Sequence, residues 1–343
     1  MEFNDLFLQA CKRQNETGRI PFWFMRQAGR FQATYRKIKE TNTIIDICKK
    51  PEVGFEVTML PVNQFKPDTA IIFSDILIPL EFMGISFEYK KGYGPLIHNP
   101  VRTKEDVEKL TSFNVAEKLH FTGETLGLLK NKLTIPCIGF VGAPFTLASY
   151  MIEGGPSKSY VELKKMMYNN TEAWHKLMSL LSDLMADYLI FQSNSGASVL
   201  QIFDSWIGIL SREDFLEFVY PHTKSLIHKV KQAVDTPIIL FGTNTAHLLD
   251  DFANSGADVM GIDWKTDIKF AIEKYADKIA LQGNLDPTLL FADKYVIKNR
   301  AEYILNASVG QKGFIFNLGH GILPETPEGH VEYLSDLVRS FRA

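Results

Sequence analysis

Two arginines close the first apolar run of the chain, Ile20-Pro21-Phe22-Trp23-Phe24-Met25-Arg26-Gln27-Ala28-Gly29-Arg30. The apolar part has the length of a β-strand. Gln27-Ala28-Gly29-Arg30 reads as the loop after it, and Gly29 permits a turn that a side chain would block. A guanidinium fork pairs with a carboxylate through two parallel hydrogen bonds. Arg26 and Arg30, together with the loop at Gln27, Ala28 and Gly29, therefore suit a ligand that bears carboxylates. Two solvated arginines at a strand end are the plain alternative.

Other chemistry-bearing residues stand in the same relation to later apolar runs. Asp75 follows Ala70-Ile71-Ile72-Phe73, and Asp204-Ser205 follow Val199-Leu200-Gln201-Ile202-Phe203. Asp263 follows Val259-Met260-Gly261-Ile262, and His320 follows Phe314-Ile315-Phe316 through Asn317-Leu318-Gly319. Three further runs end at glycine: Pro136 to Val141 at Gly142, Pro237 to Phe241 at Gly242, and Ile279 to Gln282 at Gly283-Asn284. With Pro21 to Arg26 this makes eight runs, separated by stretches long enough for helices, such as 159–192 and 212–234.

Continuous apolar runs suit buried parallel strands, which need crossover helices. Eight strand-helix units predict a (β/α)8 TIM barrel in a single domain over residues 1–343. A doubly wound open sheet would call for a Gly-rich dinucleotide turn after the first strand, and Gln27-Ala28-Gly29-Arg30 is not one. The alternating stretch from Gly84 to Ile97, around Lys91-Gly92-Tyr93-Gly94-Pro95, reads as a β-hairpin inserted after the second strand. The segment 37–62 reads as helix interrupted at Pro51, and Asp286-Pro287 as a helix start.

In such a barrel the reactive groups sit at the C-terminal ends of the strands. Arg26, Arg30, Asp75, Asp204, Ser205, Asp263 and His320 are thus expected at one mouth. Each has a plainer reading. Asp75 and Ser205 also suit helix caps, and His320 between two glycines also suits a surface loop. Tyr150, in Gly139–Gly155, falls in a helix that Pro144 restarts; it either packs in the core or offers its hydroxyl to a ligand.

Composition narrows the partners. The chain has 343 residues, 45% hydrophobic and 22% charged, with a net charge of -3. There is no global basic field, so nucleic acid and anionic membrane are not expected partners. An anionic small molecule needs only a local basic pocket. Cys11, Cys48 and Cys137 are scattered and form no metal-binding or disulfide spacing. The N-terminal residues do not read as a signal peptide, and no run reaches membrane-span length, so a cytoplasmic location is expected.

Four stretches carry a resemblance: Pro21–Arg30, Phe73-Ser74-Asp75-Ile76-Leu77, Gly139–Gly155 and Asn317–Gly321. The chain resembles the uroporphyrinogen decarboxylase family over essentially its whole length. The resemblance implies a homodimeric single barrel that works without metal or organic cofactor. It implies conversion of the four acetate side chains of the tetrapyrrole uroporphyrinogen to methyls, giving coproporphyrinogen and CO2. It also implies substrate binding by Arg26, Gln27, Ala28, Gly29, Arg30, Tyr150, Ser205 and His320, with Asp75 facing the pyrrole nitrogens and stabilising the transition state. The proton donor stays open among Arg26, a bound water and His320. Where many relatives carry Pro-Glu this chain has Ala33-Thr34, which is expected to change local packing and not chemistry.

Three rivals remain. Zinc-dependent corrinoid methyltransferases would need His-x-Cys where Ile239-Leu240-Phe241 stands. A Schiff-base aldolase would need Lys265, after the sixth run, as its nucleophile. A tetrapyrrole carrier would bind the macrocycle without releasing CO2.

Overall fold

The apolar runs become a curled parallel sheet in the computed structural model, which describes residues 3–90, 92 and 94–342. The strands are β1 (Ala70–Ile71), β2 (Phe87–Lys90), β3 (Gly94–Ile97), β4 (Cys137–Gly142), β5 (Val199–Asp204), β6 (Ile238–Gly242), β7 (Val259–Gly261), β8 (Ala280–Leu285) and β9 (Phe314–Leu318). Seven of them pair in the order β1-β4-β5-β6-β7-β8-β9. The order follows the chain without the reversal that defines a doubly wound sheet. Helices fill the crossovers, including Thr171–Ser195 between β4 and β5 and Tyr220–Ala233 between β5 and β6. Register places Gly142 opposite Phe203 and Phe203 opposite Phe241, so these strand ends meet at one rim.

The expected first strand, Pro21 to Arg26, is a correction. It forms only an isolated parallel bridge between Phe22 and Phe316. Phe316 N–H donates to Pro21 O at 2.8 Å, and Trp23 N–H to Phe316 O at 3.3 Å. Two features stop a regular ladder. On the other flank a side chain stands where a strand would: Phe22 N–H donates to Asp68 Oδ2 at 3.0 Å. Beyond it Met25 N–H goes to Asn317 Oδ1 at 3.1 Å, and Arg26 turns away with φ of 60°. β1 is short because Phe73 N–H is drawn to Thr58 Oγ1 on the helix Pro51–Phe65. Next to the edge strand β9, the expected stop at Gly283-Asn284 lies inside β8.

β2 and β3 form the antiparallel hairpin, with Phe87 opposite Ile97 and Tyr89 opposite Pro95; Lys91 and Tyr93 of its turn lie outside the described residues. Segment 37–62 is helical and breaks before Pro51 as read, with a further break at Asn42-Thr43, giving the helices Ala33–Thr41, Ile44–Lys49 and Pro51–Phe65. Pro51 sits at the first helical position, where its missing N–H costs no bond. Asp286 opens a short 3-10 turn instead of an α-helix. Ala33 N–H donates to Glu328 Oε2 at 3.1 Å, a bond a proline could not make.

The sheet buries both faces. Inside the curl, Trp23, Ile138, Val199, Ile239, Val259, Ala280 and Ile315 pack with Phe7, Ala10 and Cys11, which the helix Leu6–Cys11 inserts from below. A thread of polar side chains crosses this interior, with Trp23 Nε1 donating to Gln282 Oε1 at 2.8 Å. On the outer face Leu200, Ile202, Leu240, Met260 and Leu281 pack against the helices.

Candidate active site

Above the filled interior a cavity of about 220 Å³ opens at the C-terminal ends of the strands. Phe140, Phe203 and Phe241 form its floor. Their rings meet edge to face, with centroids 5.4 Å apart for Phe140 and Phe203 and 6.2 Å for Phe203 and Phe241. Its walls bring together Arg26, Gln27, Ala28, Ser74, Asp75, Ser205, His320 and Gly321. An apolar floor with a few convergent polar groups is the usual form of a small-molecule site.

Arg26 hangs over this cavity from a turn that its neighbours pin. Gln27 is buried, accepts from Phe24 N–H at 3.3 Å and donates to Thr69 O at 3.4 Å. The Arg26 side chain crosses Gly321, where a Cβ would stand 2.5 Å from Arg26 Cδ. Gly29 and Arg30 lie behind the wall. Gly29 N–H donates to Gln32 Oε1 at 3.2 Å, and Arg30 is exposed. Burial pushes the Tyr35 phenol up, and the charges of Arg30 and Asp75 act on it in opposite directions.

Asp75 is capped and aimed at once. Its Oδ1 accepts Leu77 N–H at 2.9 Å, ahead of the helix Ile78–Phe82. It also lines the cavity. Burial pushes its carboxyl above the ordinary Asp value, while Tyr89, the Leu77 amide and Arg26 pull it back.

His320 faces the cavity with its ring edge-on to Trp264 at 5.9 Å. Burial, and then the neighbouring Arg26 charge, push it down to about 4, so it is neutral at physiological pH. Tyr150 stands just outside the lining, against Trp206 at 5.8 Å, close enough for Asp75 and Arg26 to act on its hydroxyl.

The convergence expected of Asp204 and Asp263 does not occur. Asp204 is buried and accepts Thr146 Oγ1–H at 2.7 Å, while its neighbour Ser205 faces the cavity. Successive side chains of an extended strand alternate sides. Burial, only partly offset by Thr146, raises Asp204 to about 7. Asp263 is a turn cap that accepts from the backbone N–H groups of Asn244 and Lys265. Lys265 lies away from the cavity, its ammonium 5.6 Å from the Trp264 ring centroid. Among the described residues no group of three His, Cys, Asp or Glu side chains is placed to hold a metal ion.

The sequence reading missed Ser74, Gly321 and the phenylalanine floor. Phe203 and Phe241 each precede a strand-ending residue, a signal that could have found them. It also missed Tyr89, whose position in the hairpin gave no hint that it reaches Asp75.

The sequence matches the family described as Uroporphyrinogen decarboxylase (URO-D) over residues 2–341. A protein of Chloroflexus aurantiacus named uroporphyrinogen decarboxylase is 49% identical over 341 residues, covering 98% of this chain and 96% of that one. One of the same name from Thermus thermophilus is 46% identical over 340 residues, covering 99% of each chain. Among solved structures, a methyltransferase from Methanosarcina mazei superposes with a TM-score of 0.80 at 17% identity, covering 98% of each chain, which is a likeness of fold alone. The chain belongs to the uroporphyrinogen decarboxylase family.

Proposed function

We propose that this protein is a carboxy-lyase that converts the four acetate side chains of uroporphyrinogen to methyls, giving coproporphyrinogen and four CO2 in haem biosynthesis. Family membership across 2–341, with Arg26 and Asp75 facing one cavity, is the observation that carries the reading.

The chemistry follows from the substrate. Protonating a pyrrole carbon gives a cationic ring that takes up the electrons released as CO2 departs, so the macrocycle is its own electron sink. Arg26 and Arg30 seat the rim carboxylates, with Gln27, Ala28 and Gly29 shaping the loop between them. Asp75 accepts from the pyrrole N–H groups and stabilises the cation, an electrostatic role set before the reaction begins. At ~4 Å and an effective dielectric of ~20 that attraction is about 4 kcal/mol, equivalent to roughly a thousandfold in rate. Tyr150, Ser205 and His320 hydrogen-bond the substrate. Neutral His320 is no cationic acid at pH 7, which favours Arg26 as the proton source, directly or through a water it polarises.

The same reading holds the curled sheet to be a (β/α)8 barrel, closed between β1 and β9 by the Pro21 to Arg26 segment through its Phe22–Phe316 bridge, with the hairpin as an insertion after the second unit. One domain then spans residues 1–343. It further holds the protein to be a cytoplasmic homodimer without cofactor; no helix among the described residues is long and apolar enough to cross a membrane. Sedimentation of the pure protein tests the dimer.

Anaerobic incubation with uroporphyrinogen, with carboxylates counted by chromatography, tests the activity. Loss of four carboxylates is expected. Tight binding with no loss would favour a carrier and overturn the reading.

A further inference from the structure

Tyr89 has no part in the chemistry above and stands behind the residues that line the cavity, yet its hydroxyl lies beside Asp75, which is one of them. Burial alternates along β2: Phe87 and Tyr89 are half-buried, while Glu88 and Lys90 are exposed. Phe87 packs edge-on against the Tyr89 ring at 6.0 Å. The phenol oxygen is buried and closes no hydrogen bond of normal geometry. An unpaired buried hydroxyl is costly, and in a native fold it calls for a reason. The group it stands against is the Asp75 carboxyl.

We propose that Tyr89 is a positioning residue for decarboxylation: its hydroxyl donates to Asp75 and holds that carboxylate, charged, toward the nitrogens of the bound macrocycle. This rests on the decarboxylase reading. The Leu77 amide already occupies one side of Asp75 at 2.9 Å. A second donor, closing by a small rotation, would fix the plane of the carboxylate. Of the other groups around Asp75, Arg26 on the preceding turn is the cation. Tyr35, Cys48 and Tyr150, on the helices Ala33–Thr41, Ile44–Lys49 and Pro144–Glu153, carry their protons at neutral pH. Tyr89 is therefore the group whose removal strips a donor from Asp75 without altering a charge.

The test compares Tyr89→Phe with the wild-type full chain. With uroporphyrinogen, kcat is expected to fall about tenfold with KM within twofold, and the acid limb of kcat to move up by about one pH unit. A ring that only packs would leave that limb in place. The second readout needs no turnover: the 13C carboxyl resonance of Asp75, assigned by its loss in Asp75→Asn, is followed against pH in both proteins. An Asp75 midpoint higher in Tyr89→Phe supports the contact; coincident curves overturn the proposal even in an active enzyme. A displaced midpoint in a wild type that leaves uroporphyrinogen untouched would keep the contact but overturn its role in decarboxylation, together with the function proposed above.

Discussion

Gly321 makes room for Arg26: a Cβ at Gly321 would stand 2.5 Å from Arg26 Cδ and 2.7 Å from its Cγ. These are mid-chain atoms, held by a turn with φ of 60° at Arg26, so they cannot step aside without carrying the guanidinium with them. The loop after β9 and the turn before β1 thereby set one cation between them.

Gly321→Ala should displace that cation without unfolding the protein. A misplacement near 1 Å can cost about a hundredfold in rate, so kcat/KM for uroporphyrinogen should fall ten- to a hundredfold while Tm stays within a few degrees. Gly127→Ala is the control. Nothing lies within 4 Å of its added methyl, in the helix His120–Lys132, and it should leave kinetics unchanged while raising stability by up to ~1 kcal/mol. Wild-type kinetics in Gly321→Ala would show that the position of Arg26 is unimportant.

Asp75→Asn keeps an oxygen to accept Leu77 N–H and removes the charge. Substrate should still bind within a few-fold of wild type, and kcat should fall by roughly a thousandfold. Because burial raises Asp75 above its ordinary value, the acid limb of wild-type kcat should lie at higher pH than a free aspartate would give. Single-turnover rates across pH check both points. A fully active variant would remove Asp75 from the chemistry.

Arg30 is exposed, so the pairing with a substrate carboxylate proposed for it would be screened. Arg30→Ala should raise KM about fivefold, the equivalent of ~1 kcal/mol, and leave kcat nearly unchanged. The effect should shrink in high salt. An unaltered KM at low salt would argue against a seating role.

Asp204 makes stability depend on pH. Its folded value, about 7, lies above the 3.8 of a free aspartate, so folding is favoured most while the group is protonated. That contribution is full below about pH 4 and is lost as pH rises through 7. Asp204→Asn stays neutral and can still accept from Thr146. Thermal melts between pH 5 and 8 should show the variant gaining on wild type as pH rises; parallel curves would mean Asp204 is ionised throughout.

Strand positions were legible because buried parallel strands are apolar on both faces, as in Val199–Phe203 and Ile238–Phe241. The segment Pro21 to Arg26 carried the same pattern and did not make a regular strand. Its flank is held by the Asp68 carboxylate, a partner 46 residues away that no local pattern reveals. Run endings located the mouth to within a residue, but a one-residue step decides which way a side chain points. Asp204 and Ser205 looked equivalent in sequence, and only Ser205 faces the cavity. Asp263 and Asp75 each follow a strand and each cap a turn; what separates them is that backbone amides hold both oxygens of Asp263.

The helix Leu6–Cys11 stoppers the curled sheet from beneath, and its consequence is one of traffic. A macrocycle entering from above meets a cul-de-sac, so each acetate in turn must be presented through the same doorway by which CO2 escapes. Between rounds the ring has to back out or swivel in place, and any partly processed intermediate that is released must leave by the route through which fresh substrate arrives.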